Sequence, residues 1–172
     1  MGKPVIGILM GSDSDYEVMR EAARALQGFD VAFEMLVSSA HRSPQRTLEY
    51  AASARERGIR AFIVGAGAAA HLAGVVASKT TLPVIAVPID STALKGLDAL
   101  LATVQMPGGI PVASMAIGKA GAKNAGLFAV QLLAATDADL AARLDASRTV
   151  MAKEVAEKSE SLQQRLKADG LA

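Results

Sequence analysis

Five short apolar runs recur along the chain, at residues 5–10, 31–37, 61–64, 84–87 and 111–117, each closed by a Gly, Ser or Pro break and followed by a helix-compatible stretch. The first four are too short for helices and rich in Val and Ile, which reads as buried strands. The segments between them read as helices. Residues 16–27 place Val18, Ala22, Ala25 and Leu26 on one side, and residues 44–58 open with Ser43 as N-cap and Pro44 at the first helical position. Strand and helix in strict alternation imply a parallel sheet covered by helices on both faces.

Five strands in such an α/β sheet predict a three-layer flavodoxin-like arrangement with strand order 2-1-3-4-5. A last helix is expected from about residue 137 to 168. In an open sheet of this kind the site lies beyond the carboxyl ends of the strands, at the switch point between strands 1 and 3. Three loops converge there: Gly11-Ser12-Asp13-Ser14-Asp15, Ser38-Ser39-Ala40-His41-Arg42-Ser43-Pro44, and Gly65-Ala66-Gly67-Ala68-Ala69-Ala70-His71-Leu72. Both histidines of the chain fall within them.

The first loop sets hydroxyls and free backbone N–H groups at a helix start, which suits a phosphate or another anion and equally suits a plain capping turn. Asp15 stands open between N-cap and acceptor for ribose hydroxyls. In the second loop His41, the side chain type that titrates near neutrality, lies beside Arg42, a fixed cation suited to phosphate. In the third, Gly65 and Gly67 lack a Cβ, so a ligand can approach the backbone closely, and His71 opens a helix. Two histidines thirty residues apart with no third ligand at metal spacing do not make a zinc site. The small residues from Gly118 to Gly126 read as close helix packing rather than ligand binding. Two relatives of the fold fail on their own requirements. A phosphoacceptor receiver needs an Asp at the end of strand 3, where this chain has Val64-Gly65-Ala66-Gly67. A flavin is normally held between aromatic rings, and here there is no Trp, with Tyr16 and Tyr50 both in helices.

Charge distribution narrows the partners. The net charge is +1 and both signs are interspersed, so no basic footprint for nucleic acid exists. There is no Cys, which removes a disulfide framework, a zinc–thiolate site and a thiol nucleophile, and suits a reducing compartment. The apolar run at 5–10 is too brief for a secretory signal, and the longest uncharged run, 99–118, contains Gln105, Pro107, Gly108, Gly109 and Pro111. No membrane association is expected, and the cytoplasm is the expected location. Residues 61–136 carry six charged side chains, ~8% against about 25% in an ordinary domain. Crossover helices so short of charge predict a homo-oligomer that buries them between subunits. The last 36 residues hold thirteen of the thirty-five charges. Their apolar pairs, Leu140 with Leu144, Met151 with Val155 and Leu162 with Leu166, recur every eleven residues, close to the natural helical period, which keeps the stripe on one face. The expected organisation is an α/β catalytic domain at 1–136 and a C-terminal helix at 137–172 packing on neighbouring subunits.

At these loops the sequence resembles the class I 5-(carboxyamino)imidazole ribonucleotide mutases of purine biosynthesis, the catalytic subunit of what was once called phosphoribosylaminoimidazole carboxylase. The resemblance rests on the motifs at 11–15, 39–44 and 65–72, on Leu97-Asp-Ala-Leu-Leu running into Val104-Gln-Met-Pro-Gly-Gly-Ile-Pro-Val112, and on the continuation through 116–125. It implies an isomerase, free of cofactor and metal, that moves a carboxyl group from the exocyclic nitrogen of a small-molecule ribonucleotide to carbon 4 of its imidazole. It also implies an octamer whose sites draw on more than one subunit. By the same resemblance Ser12, Asp15 and Arg42 hold the ribonucleotide with Ser14 nearby, and His41 transfers the proton. Ser39 and Ala40 line the site, and Gly67, Ala70, His71 and Leu72 wall the carboxylate pocket. Ala73 stands where the family usually has Pro, which predicts slightly more mobility there without loss of chemistry. Related direct carboxylases carry Lys-Gly where this chain has Arg42-Ser43, so Arg42 favours the mutase. The alternatives are direct carboxylation by carbon dioxide on the same fold and a non-catalytic nucleotide-binding module.

Overall fold

The computed structural model describes residues 2–171. Strands β1 (Ile6–Met10), β2 (Phe33–Val37), β3 (Ala61–Gly67), β4 (Val84–Ile89) and β5 (Ala113–Ser114) form one sheet in the order β2-β1-β3-β4-β5. Every pairing is parallel. Helices α1 (Tyr16–Gly28), α2 (Pro44–Arg57), α3 (Leu72–Ala77), α4 (Leu97–Val104), α5 (Gly118–Ala134) and α6 (Ala138–Ala168) complete the chain, with a single 3-10 turn at Asp13–Asp15. The strand order is the one expected from the alternation of elements.

β1 and β4 are buried along their whole length, which is why they read as unbroken apolar runs instead of alternating ones. Successive side chains still point to opposite faces. Leu9, Phe62, Val64, Val84 and Ala86 meet Ala51 and Ala54 of α2 and Leu72, Ala73 and Val76 of α3 in one core. The next residue of β3, Gly65, faces the other way, and a Cβ there would come within 2.3 Å of Met19 Sδ on α1. At Gly126 of α5 a Cβ would lie 2.7 Å from both the Ala22 carbonyl oxygen and the Ala25 Cβ of α1. The small residues after β5 therefore serve packing, as their composition suggested.

α2 is fixed to the sheet edge by Tyr50, whose hydroxyl donates to Glu34 Oε1 of β2 at 2.7 Å. Arg57 donates to the same oxygen, and its guanidinium lies 4.3 Å above the Tyr50 ring. Burial alone would raise the Glu34 pKa, but the hydrogen bonds from Tyr50 and Arg57 outweigh it and hold the carboxyl below its ordinary value. The cluster's contribution to stability is therefore present above the ordinary carboxylate range and lost as acid titrates Glu34.

Two elements differ from their expected bounds. β5 is two residues long rather than seven, pairing only Ile85 with Ala113 and Ala86 with Ser114. Pro111 has no N–H to donate, so the ladder cannot start where the apolar run does. β3 runs three residues further than expected, because Gly65, Ala66 and Gly67 stay paired with Val87, Pro88 and Ile89.

The chain divides into two compact units, Met1–Leu133 and Ala134–Ala172. In the second, the Asp137 carboxylate accepts a hydrogen bond from Leu140 N–H at 3.0 Å and caps α6. Met151, Val155 and Leu162 on this helix are exposed. Among the described residues no helix is long and apolar enough to cross a membrane.

The crossing of α1 and α5 supplies a test. Gly126→Ala gains about 1 kcal/mol of helix propensity but forces a methyl group against the α1 backbone, an overpacking cost of about 1–3 kcal/mol. The expected net effect is a loss of up to ~2 kcal/mol in urea denaturation. Stability equal to or above that of the parent would show that the two helices can part without cost.

Candidate active site

Parallel pairing brings the ends of β1, β2 and β3 level, and the three loops that leave them are joined by hydrogen bonds. In the first, Ser12 Oγ accepts from Ser14 N–H at 3.4 Å while Asp15 Oδ2 accepts from Ser12 N–H at 3.1 Å, a reciprocal capping box. Asp15 occupies the N-cap position of α1, but its carboxylate turns back to Ser12 and makes no cap bond to that helix. It is only 6% exposed. Burial pushes its pKa above the ordinary value and neighbouring Asp13 adds to this, while hydrogen bonds from the Ser12 and Gly11 backbone and from Ser14 act against it.

The second loop is clamped from within. Ser39 Oγ accepts from Arg42 N–H at 3.2 Å and from Arg42 Nε at 3.4 Å. Ser43 occupies the N-cap position of α2 as expected, yet its hydroxyl makes no cap bond; it donates to Ser39 O at 3.1 Å and accepts from Ser39 N–H at 3.3 Å. Ser38 and Thr47 share a buried hydrogen bond of 2.8 Å. Arg42 Nη2 then donates to Gly11 O at 3.1 Å, tying the second loop to the first.

The third loop turns sharply. Ala68 takes a left-handed φ of 52°, and Ala70 N–H and His71 N–H bond the carbonyls two residues back, at Ala68 and Ala69, both at 2.8 Å. A non-glycine residue in this region costs of order 1 kcal/mol, a strain held at the site. The turn delivers His71 to the second loop, where His71 Nδ1 lies 2.9 Å from His41 Nε2.

Between the loops lies a cavity of about 440 Å³, within the roughly 300–1,000 Å³ usual for small-ligand sites. Ser12, Ser14 and Asp15 line it from the first loop and Ser39, Ala40, His41 and Arg42 from the second. Gly67 and Leu72 represent the third. Two residues expected at the wall are not on it. Ala70 is buried at 2% exposure, and His71, itself exposed, touches the site through its hydrogen bond to His41. The glycines of the third loop also differ in role from their expected one. The space a Cβ would need is filled by Met19 at Gly65 and by Ser91 Oγ, 2.0 Å away, at Gly67, so packing rather than ligand clearance requires them. Ser91 itself lines the cavity from the loop after β4 and was not anticipated. Its signal was present in the sequence, since it follows the carboxyl end of a strand adjacent to β3.

A guanidinium, four serine hydroxyls and a carboxylate set beside small apolar side chains suit a phosphorylated, hydroxylated ligand. Among the described residues no group of three or more His, Cys, Asp or Glu is placed to hold a metal ion.

Comparison with known proteins follows the same loops. The family described as AIR carboxylase matches residues 5–154. The N5-carboxyaminoimidazole ribonucleotide mutase of Bacillus subtilis (strain 168) is 56% identical over 160 residues, covering 93% of this chain and 99% of that protein. The protein of the same description from Thermotoga maritima is 50% identical, covering 94% and 93%. A crystal structure of Treponema denticola PurE superimposes with a TM-score of 0.81 at 28% identity, covering 92% of this chain and 98% of that one. On these matches, which span nearly its whole length, the chain belongs to the AIR carboxylase family.

Proposed function

We propose that this chain is an isomerase that converts 5-(carboxyamino)imidazole ribonucleotide into 4-carboxy-5-aminoimidazole ribonucleotide. The observation that carries the reading is the placement of His41 and Arg42 side by side on a cavity lined by serine hydroxyls, the Asp15 carboxylate and small apolar side chains. Relatives at 50–56% identity that bear the mutase name support it.

In this reading Arg42 pairs with the phosphate and Ser12, Ser14 and Asp15 hold the ribonucleotide. Ser39, Ala40, Gly67 and Leu72 line the reacting end, with Ala70 and His71 off its wall. The carbamate C–N bond breaks, carbon dioxide is released into the pocket, and the exocyclic nitrogen takes up a proton. Carbon 4 of the electron-rich ring then attacks the trapped carbon dioxide, and the proton left on carbon 4 passes to His41. His41 gives the nitrogen the first proton and takes back the second from carbon 4, so the balance closes within a turnover. The chemistry needs a closed pocket and a positioned acid–base group more than a strong nucleophile. The reading requires no cofactor.

The active form is a homo-oligomer, an octamer in this reading, acting in the cytoplasm. Supporting this, Leu94, Leu97, Leu101 and Val104 at α4 are exposed at spacings of three, four and three residues. On α6, Met151, Val155 and Leu162 are exposed as well. Residues 1–136 form the catalytic domain and 137–172 pack on neighbouring subunits.

The reaction is tested by supplying the carbamate in one assay and bicarbonate with unsubstituted aminoimidazole ribonucleotide in another. Turnover in the first alone is expected, and turnover in the second alone would replace the isomerase by a direct carboxylase. His41→Asn should keep nucleotide binding and lose at least ~10²-fold in turnover. Near-normal turnover would remove His41 from the mechanism.

Asp15→Asn separates stability from binding. A carboxyl whose folded pKa is raised favours folding below its unfolded pKa, and that contribution is lost as pH rises through the folded value. At neutral pH the buried carboxylate is thus a cost, which Asn removes while still accepting from Ser12 N–H. The variant should melt higher near neutrality, with the difference fading in acid, and should bind ribonucleotide more weakly by about 1.5–3 kcal/mol, the scale of a hydrogen bond to a charged group. A lower neutral melting temperature or an unchanged dissociation constant would each contradict this.

Deleting 137–172 should shift the protein to smaller species or make it aggregate. Sedimentation of the truncated chain at the full oligomer's size would show that α6 does not hold the assembly.

A further inference from the structure

The cavity wall contributed by β3 and the third loop carries no polar side chain. Ala66, Gly67, Ala69 and Leu72 line it, and the space a side chain at residue 67 would take is held by Ser91 from the loop after β4. Ser91 Oγ lies 2.0 Å and its Cβ 2.8 Å from where a Cβ on Gly67 would stand. The Ser91 hydroxyl therefore supplies a side-chain hydrogen-bond donor to a face otherwise built of glycine, alanine and leucine. The other three serines on the cavity are already engaged. Ser12 Oγ donates to Asp13 Oδ1 at 3.1 Å, Ser14 bonds the Asp15 carboxylate, and Ser39 Oγ accepts twice from Arg42. Ser91 is exposed, and its hydroxyl bonds no other described residue.

The turn that carries Ser91 is held in place although the hydroxyl itself is free. Thr92 Oγ1 donates to Asp98 Oδ2 at 2.8 Å and accepts from Leu94 N–H at 3.1 Å, and Lys95 N–H bonds Thr92 O at 3.0 Å. Lys95 and Gly96 are both left-handed, with φ of 51° and 82°, and a Cβ on Gly96 would lie 3.4 Å from Asp90 N and Cα. A lysine in that region is strained, and the turn closes on the residue that precedes Ser91. Donors fixed in advance by the fold are most effective where charge develops during a reaction.

We propose that Ser91 is a further catalytic residue, whose Oγ–H donates to the carboxyl group as it moves from nitrogen to carbon. The proposal rests on the isomerase reading above, in which Gly67 and Leu72 line the reacting end. Carbon dioxide held against this wall is neutral and accepts a hydrogen bond weakly. As carbon 4 attacks, the C–C bond forms from an electron pair of the ring, one C=O π pair moves onto oxygen, and that oxygen becomes half of a carboxylate. The bond from Ser91 is then charge-assisted and roughly twice as strong. The serine keeps its proton throughout, and the proton left on carbon 4 passes to His41 as before. Recapture of carbon dioxide is thus favoured over its escape, since escape develops no charge for Ser91 to meet.

Ser91→Ala tests this by binding and by partition. The hydroxyl has no partner in the fold, so the variant should melt with the parent protein. In calorimetry it should bind 4-carboxy-5-aminoimidazole ribonucleotide at least ~10-fold more weakly, while its affinity for 5-aminoimidazole ribonucleotide, which lacks the carboxyl group, stays within about threefold. Given carbamate labelled with carbon-13 in the carboxyl group, in unlabelled bicarbonate, the variant should carry a smaller share of label into product and lose at least ~10-fold in kcat. Unchanged affinity for the carboxylated ligand, equal weakening of both ligands, or a label share and kcat equal to the parent's would each overturn the assignment. A fall in melting temperature would overturn it too, by giving the hydroxyl a role within the fold. The binding comparison needs no turnover, so its failure removes Ser91 alone, whereas absence of carbamate conversion by the parent protein removes the isomerase reading itself.

Discussion

The level pairing of β1 with both its neighbours is the constraint on which the site depends. Met10 sits opposite Val37 on one side and Gly65 on the other. Ser38 N–H bonds Met10 O at 2.8 Å and Gly11 N–H bonds Gly65 O at 3.2 Å, so the first two loops leave the sheet level with Gly65, two residues before the third leaves after Gly67. His41 and His71, 30 positions apart, thus meet at hydrogen-bond distance.

Within those loops, hydrogen bonds replace apolar burial as the source of rigidity. Ser39 is bonded by Ser43 and Arg42, Arg42 reaches Gly11, and Asp15 closes on Ser12, so most polar groups near the cavity are already engaged before any ligand arrives. Such preorganisation lowers the ordering cost of binding. It also holds a buried carboxylate at Asp15 and a left-handed alanine at position 68, each unfavourable to folding, where the fold alone would need neither. The larger apolar cores on the two faces of the sheet offset them.

Strand order, helix positions and the convergence of both histidines were legible because they depend on the period of apolar residues and on where polar residues interrupt it. What was not legible depends on the third dimension. Gly65 and Gly67 look alike in sequence, yet one makes room for Met19 and the other for Ser91, contacts set by helix and loop trajectories rather than by spacing. Ser43 was read correctly as an N-cap position, but not its hydroxyl, which accepts from Ser39 N–H and donates to Ser39 O instead of accepting from the first turn of α2. β5 read as a strand of seven residues because apolarity marks burial, whereas strand length depends on donors, and Pro111 supplies none.

The exposed apolar residues of α4 and α6 differ in period, and the difference bears on the proposed assembly. On α4 the spacings of four and three at 97, 101 and 104 follow the 3.5-residue seam of helices that wrap around one another, with Leu94 exposed just before the helix, while the eleven-residue recurrence on α6 follows a nearly straight stripe. Two such surfaces call for two kinds of contact. Leu94, Leu97, Leu101 and Val104 are each about half exposed, so covering all four supplies roughly 3–6 kcal/mol at 1.5–3 kcal/mol for a whole side chain. Association costs an estimated 4–15 kcal/mol, which a single contact of this size does not exceed by a useful margin. A closed assembly in which every copy uses both surfaces multiplies the buried area without a matching rise in that cost per contact, and a chain so short of charge between residues 61 and 136 has the composition such closure requires.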